Sequence, residues 1–170
     1  MAKDSKLNST INDLDKELTR IQSEYKKIYE GILKKEKDME VRHEEFPVTF
    51  LKDEKYEDLV LKASNYKHRS IQLMREATAV SGSCKADLEY LEAQLKLYSA
   101  DTFLKEKFDK ITDSLRNSFV KSKRQMRDLQ KILKGLEAVQ VGAEKLVRAF
   151  EADEVNFRRF HQLQGTTIGL

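Results

Sequence analysis

Hydrophobic residues at the start of the chain recur at alternating intervals of three and four positions. The series is Leu7, Ile11, Leu14, Leu18, Ile21, Tyr25, Ile28 and Ile32. This heptad spacing is typical of a coiled coil. Tyr25 is bulky for a tight parallel dimer, so the partner is either another helix of the same domain or an assembly of more than two strands. The pattern predicts an N-terminal coiled-coil arm over residues 1–46, with Leu7, Ile11, Leu14, Leu18, Ile21 and Ile28 as its oligomerisation residues.

The heptad pattern ends before the segment Phe46-Pro47-Val48-Thr49-Phe50. Proline disfavours helix at the residue before it, and the β-branched and aromatic neighbours favour an extended backbone. We therefore predict a linker over residues 47–52. An alternative role for this segment is edge pairing within an oligomer.

A second helix is predicted to begin near Asp53, with apolar positions that recur from Leu59 to Tyr98. The segment Ser81-Gly82-Ser83 either breaks this helix or is tolerated within it. The apolar positions shift phase here by one extra four-residue step, which is called a stutter. Coiled coils tolerate a stutter without a break, so the pattern favours a continuous or merely kinked helix.

Capping residues from Ser99 to Thr102 predict a third helix, whose apolar positions run from Leu104 to Phe160 with a bend near Gly135 or Gly142. Together with the second helix it makes a helical core domain over residues 53–162. We expect a flexible tail over residues 163–170.

Composition supports this all-helical interpretation. The 170 residues contain 36% charged side chains, one Pro, six Gly and no Trp, and so few chain breakers favour long helices over a sheet. We predict an all-α fold, an elongated helical hairpin or bundle with an N-terminal coiled-coil helix. The N-terminus lacks an apolar signal region, and there is no apolar run of about 18 residues for a membrane span. We therefore expect a cytoplasmic protein.

Candidate chemistry is sparse. The single cysteine, Cys84, excludes a disulfide framework and a cysteine-based zinc site, and His43, His68 and His161 are far apart in the sequence. There is no glycine-rich phosphate loop and no nucleophile motif. We expect no catalytic residue, no metal and no cofactor, so the chain is predicted not to be an enzyme.

Charge is concentrated in one place. The whole chain has a net charge of +3, yet residues 116–134 contain seven basic side chains and a single acid, Asp128. The basic residues are Arg116, Lys121, Lys123, Arg124, Arg127, Lys131 and Lys134. At about 100° per residue, Arg116, Lys123, Arg127 and Lys134 share a line along the outer face of the third helix. Such a stripe could bind a polyanion, remain a solvated or intersubunit face, or meet an anionic membrane surface.

Three short stretches carry a resemblance to a known family. Lys67-His68-Arg69-Ser70-Ile71 followed by Lys85-Ala86-Asp87-Leu88-Glu89-Tyr90 resembles the central helices of the recombination mediators of T-even phages, the UvsY family. Gly142-Ala143-Glu144-Lys145-Leu146-Val147-Arg148 is similar to part of that family's last helix. The resemblance covers roughly residues 55–160. Asp87 departs from the pattern, since a basic residue is expected there, and the heptad segment 7–32 has no counterpart.

The resemblance implies a non-enzymatic, homo-oligomeric protein that binds single-stranded DNA without sequence preference. It also implies two protein partners, a RecA-like recombinase and the single-stranded-DNA-binding protein that coats the strand, and a phage protein acting in the host-cell cytoplasm. The basic window would hold phosphates, and Lys67, Arg69 and Lys85 would form a secondary site. The alternative function is a structural coiled-coil protein, such as a virion or scaffold component, whose basic stripe meets an acidic neighbouring subunit.

Overall fold

The protein is described by a computed structural model that covers the backbone of residues 2–50, 55–102 and 110–167, with side chains at 12–46, 55, 57–97, 110–160 and 162. These residues form four α-helices: α1 (Ala2–Phe50), α2 (Tyr56–Thr102), α3 (Asp113–Ser122) and α4 (Arg124–Thr167). The described residues include no strand, and the all-α fold class is confirmed.

The helices are shared between two compact units. Unit 1 comprises Met1–Tyr29 and Val80–Gly135, and unit 2 comprises Glu30–Ala79 and Leu136–Leu170. Each unit takes one segment from α1, one from α2 and one from α4, and unit 1 also contains α3. The boundaries therefore differ from the predicted division into an arm at 1–46 and a core domain at 53–162, because α1 contributes to both units.

Unit 1 buries the heptad positions of α1 against its own helices. Leu14, Leu18 and Ile21 are buried, whereas Ile28 is 43% exposed. The side chains of Leu7 and Ile11, also predicted to act in oligomerisation, lie outside the described residues. Packing within the chain therefore accounts for this part of the heptad pattern. This agrees with the first alternative of the sequence analysis, in which the partner of α1 is another helix of the same domain.

Within unit 1, α1 and α4 run parallel. Asp15 bonds Lys123 just before α4, and Thr19 bonds Gln125 two residues further along. Towards the end of the unit the Tyr29 ring lies so close to Gly135 that a Cβ placed there would meet three of its atoms at 2.6–2.8 Å. Glycine at position 135 therefore permits the close approach of the two helices.

Unit 2 is built around aromatic rings. Phe46, Phe150 and Phe157 are buried, and the Phe46 ring lies 5.8 Å from Tyr66 and 5.5 Å from Phe157 between centroids. In this unit α1 and α2 run antiparallel, since Lys35 bonds Glu76 while the later Arg42 lies over the earlier Tyr66. Edge-to-face ring pairs add to the stabilisation that burial provides.

The predicted linker at 47–52 was wrong for residues 47–50, which are helical as far as Phe50. Pro47 lies in the last turn of α1, where its missing N–H removes one terminal hydrogen bond and does not interrupt a long interior ladder. Residues 51–54 lie outside the described part of the chain.

The remaining helix predictions had mixed outcomes. The continuous second helix is confirmed, because α2 runs through Ser81-Gly82-Ser83. The predicted cap at 99–102 was wrong: α2 continues to Thr102, and the next described helix has its N-cap at Thr112. Helix α4 runs through Gly135 and Gly142, and it continues to Thr167, into the predicted tail.

Candidate nucleic-acid interface

The basic window of residues 116–134 lies entirely in unit 1, where it is divided between α3 and α4. The division falls at Lys123, whose backbone is extended at φ −69° and ψ 117°. One regular helix therefore does not run through the window, and the predicted alignment of Arg116 and Lys123 with Arg127 and Lys134 was wrong. Arg127 and Lys134 keep their alignment, because both belong to α4 and residues seven apart fall within about 20° of one line.

Lys123 is occupied by contacts within the chain. Its Nζ donates to both carboxylate oxygens of Asp15, at 2.7 and 2.9 Å, and lies 5.3 Å from the centroid of the Phe119 ring. Only 20% of its side chain is exposed. Phosphate binding by Lys123 would require the loss of a two-oxygen ion pair in a partly buried position, so this residue is a poor candidate for the interface.

The two basic residues of α3 differ in how accessible their side chains are. Arg116 is half-buried, its Nε has no hydrogen-bond partner in the structure, and its Nη1 is 3.8 Å from the Asp113 carboxylate. Lys121 is exposed in the last turn of the helix. Of the two, Lys121 is the side chain that an external anion could reach without rearrangement.

Four exposed basic residues share one side of the first turns of α4, and we call them the basic face. Arg124, Arg127, Lys131 and Lys134 all lie within about 80° around the helix axis at 100° per residue. The opposite side of these turns carries the buried Met126, Leu129, Ile132 and Leu136. The helix thus presents its cations outward, because the apolar positions between them are held in the core.

One carboxylate lies beside the basic face. Asp128 is 3.7 Å from Arg124 Nε and 3.8 Å from Lys131 Nζ, and the side chains of these two basic residues are 87% and 80% exposed. Exposed pairs at this separation are worth at most about 1 kcal/mol. A phosphate could therefore take the place of Asp128 as their partner at small cost.

The three residues of the predicted secondary site have different surroundings. Lys67 is largely buried, and its Nζ bonds Glu154 Oε2 at 2.5 Å. Glu154 also accepts a hydrogen bond from Arg158, and these two partners hold the pKa of its carboxyl below its usual value, with the Lys67 bond as the largest cause. Arg69 and Lys85 are exposed but belong to different units. The geometry gives Lys67 a structural role.

Catalytic and metal chemistry gain no support from the described residues. No group of three or more His, Cys, Asp or Glu side chains among them could hold a metal ion. Cys84 is buried, and burial raises the pKa of its thiol to about 11, which leaves it protonated and unreactive at neutral pH. His43 lies 3.3 Å from Asp153 and packs edge-on against Phe150, with 35% of its side chain exposed. No helix among the described residues is long and apolar enough to span a membrane.

Set against known protein families, curated proteins and solved structures, the chain matches none of them.

The ion pairs of Lys67 and Lys123 were not identified from the sequence. Their partners, Glu154 and Asp15, lie 87 and 108 positions away, and nothing in a helix pattern says which of many acids will face which base. The exposed basic residues of α4 were identified, because alternation with buried apolar residues is visible in a single helix.

Proposed function

We propose that the chain is a non-enzymatic single-stranded-DNA-binding protein that acts as a recombination mediator. In this role it helps to load a RecA-like recombinase onto strands coated by a single-stranded-DNA-binding protein. The observation that supports DNA binding is the basic face, four exposed cations on one side of α4 with Asp128 as the carboxylate beside them. The finer role, the two protein partners and the phage context rest on the family resemblance.

Binding through the basic face would be electrostatic and independent of base sequence. Arginine and lysine at these positions reach phosphates, and each phosphate that is neutralised releases counterions. The salt slope, the fall in log affinity per unit of log salt concentration, is about 0.7 for each contact on single-stranded DNA. With four contacts, the affinity should fall by roughly 50-fold when the salt concentration rises fourfold. A face of this size binds weakly by itself, so the proposal includes a homo-oligomer in which several copies act together.

The experiment measures binding of a labelled 30-nucleotide oligo-dT to the full chain by fluorescence anisotropy at 50 and 200 mM salt. The test variant is Arg124→Ala, Arg127→Ala and Lys131→Ala combined. We expect its salt slope to fall by about two, the share of three contacts, together with the affinity.

A matched control removes three other exposed lysines, with Lys27→Ala, Lys34→Ala and Lys37→Ala combined on α1. It has the same change in net charge, so long-range attraction weakens equally in the two variants. The control should keep the slope of the unaltered protein. Equal losses in both variants, or no loss in either, would contradict a role for the basic face.

The alternative function, a structural coiled-coil or scaffold protein, is favoured by one specific observation. Two of the predicted DNA-binding lysines, Lys67 and Lys123, already bind carboxylates of this chain. Basic residues here therefore do serve protein packing. A scaffold protein should assemble in sedimentation experiments without nucleic acid, and the basic-face variant should abolish that assembly.

A further inference from the structure

Helix α4 has a heptad pattern on each of two opposite sides within unit 2. The inner pattern is buried and includes Leu136, Val139, Ala143, Leu146 and Phe150. A second pattern, about 180° away around the helix, is exposed throughout and we call it the outer seam. Its residues are Val141, Lys145, Arg148, Ala152, Val155 and Arg159.

The outer seam alternates apolar and basic residues along the helix. Val141 is followed by the basic pair Lys145 and Arg148, and then by the apolar pair Ala152 and Val155. Val141 is 53% exposed and Val155 is 43% exposed, and at 1.5 Å per residue they lie about 21 Å apart along the axis. The spacing of three and four residues is that of a helix that packs against a partner helix.

Carboxylates are kept out of this seam. Glu137, Glu144 and Glu151 repeat every seven residues in a separate exposed row beside it. The other acids of this stretch face inward, where Asp153 meets His43 and Glu154 meets Lys67. The outer seam itself therefore carries basic side chains and methyl groups, and the exposed glutamate row lies about 60° to one side of it.

The exposed valines distinguish this seam from the basic face of unit 1. A nucleic-acid backbone gains contact with the cations but nothing from valine methyls, whereas a helix with apolar residues in register buries them. Arg148 makes an exposed pair with Glu144, at 2.6 Å and with 76% of the arginine side chain accessible. A partner carboxylate could share or replace that contact at little cost.

We propose that the outer seam docks an acidic amphipathic helix of another protein. Apolar residues of that helix pack on Val141 and on Ala152 and Val155, and a pair of its carboxylates meets Lys145 and Arg148. Charge complementarity selects this partner, because a basic helix would be repelled by Lys145 and Arg148 and a neutral helix would gain no charged contact with them. The inference stands on unit 2 alone and does not depend on DNA binding by unit 1.

The test uses the full chain and a labelled synthetic helix of 21 residues. Leucines in the peptide are spaced to meet the apolar positions of the seam, and two glutamates lie between them. A second peptide carries lysines in place of those glutamates. The acidic peptide should bind the unaltered protein in fluorescence anisotropy. The combined variant Lys145→Glu and Arg148→Glu should bind it at least about tenfold more weakly and should now prefer the lysine peptide.

Two controls keep the result interpretable. The combined variant Lys34→Glu and Lys37→Glu on α1 has the same charge change and should bind the acidic peptide like the unaltered protein. Val155→Asp should also lower peptide binding while circular dichroism shows the same helix content, so that loss of folding is not mistaken for loss of docking.

Four results would overturn the proposal. The acidic peptide fails to bind, or the variant Lys145→Glu and Arg148→Glu does not bind the lysine peptide more tightly than the acidic one. Alternatively, the seam variant loses oligo-dT binding as strongly as peptide binding, which would place the seam in a polyanion surface. Finally, the protein self-associates in sedimentation and Val155→Asp abolishes that association, which would make a second copy the occupant.

Discussion

The two units bury different kinds of side chain. Apart from Tyr25, the described buried apolar residues of unit 1 are aliphatic or sulfur-containing, such as Leu18, Leu91, Met126 and Leu129, all nearly inaccessible. Unit 2 adds a ring cluster around Phe150, which contacts His43, Phe46 and Tyr66. The heptad pattern continues along the long helices, but the segments in unit 1 and those in unit 2 are stabilised by different kinds of buried side chain. Stability should therefore be most sensitive to single substitutions in unit 2.

The largest expected effect is that of Phe150→Ala. Phe150 is completely buried, and removal of a buried ring costs about 3–5 kcal/mol in the free energy of unfolding. Urea denaturation followed by circular dichroism measures it. Val155→Ala, an exposed position on the same helix, serves as control and should change stability by less than about 0.5 kcal/mol. A loss at Phe150 no larger than that of the control would contradict the central place of the ring cluster.

The glycines at the two close approaches of α4 provide the next comparison. An added methyl at Gly135 in unit 1 meets the Tyr29 ring, which moves only as a rigid body, while at Gly142 in unit 2 it meets the end of the flexible Glu36 side chain. Gly135→Ala should therefore destabilise by about 1–3 kcal/mol, the usual cost of overpacking. Gly142→Ala should cost less, since the Glu36 carboxylate can swing away.

Gly31→Ala is the control for both glycine variants. Nothing lies within 4 Å of a methyl at position 31, so the substitution should stabilise the protein by about 0.5–1 kcal/mol through helix propensity. Equal stabilisation by Gly135→Ala would mean that the Tyr29 ring yields freely, and the close packing of unit 1 would then be looser than described.

Two buried carboxylates within unit 2 should respond to pH in opposite directions. Burial is the largest cause that raises the pKa of Glu36 above its usual 4.5, with Glu40 adding to it. The Lys67 bond lowers the pKa of Glu154. The ionised form of Glu36 is thus disfavoured by folding, whereas the ionised form of Glu154 is favoured by it.

Glu36→Gln should therefore stabilise the protein at pH 7. This advantage shrinks as the pH falls through the raised pKa, because protonated Glu36 resembles glutamine. Glu154→Gln should destabilise it at pH 7, and that difference fades as the pH falls below 4.5 through the lowered pKa, where the carboxylate is protonated in both states. Urea denaturation at pH 7, 5.5 and 4 measures both trends. Parallel pH profiles for the two variants would contradict the different environments.

The smallest expected effect concerns the ion pair between Lys123 and Asp15. A double-mutant cycle with Lys123→Met and Asp15→Asn should give a coupling of about 1 kcal/mol, because Lys123 donates to both carboxylate oxygens and only 20% of its side chain is exposed. A coupling of zero would mean that the ion pair does not stabilise the fold, and Lys123 would again be a candidate for DNA contact.

The sequence allowed prediction of the fold class and of the exposed cations of α4. Both follow from the alternation of apolar and polar residues along single helices, which is a local property. The break at Lys123 could not be predicted in this way, since the residues around it continue the helical pattern. Nor could the partners of Lys67 and Lys123, because contacts between helices depend on how the chain folds back on itself. Pro47 is the opposite case. It predicted a linker from a local preference, yet α1 continues through it to Phe50.

The central claim is that pairing within the chain decides which basic residues are available to a polyanion. Lys123 and Lys131 lie eight positions apart in unit 1 and are the most direct comparison, since the first is paired and the second is 80% exposed. The deciding measurement is the salt dependence of oligo-dT binding for Lys123→Ala and Lys131→Ala. We predict that Lys131→Ala lowers the slope by about 0.7 and that Lys123→Ala leaves it unchanged. A lower slope for Lys123→Ala, with Lys131→Ala unchanged, would contradict this account.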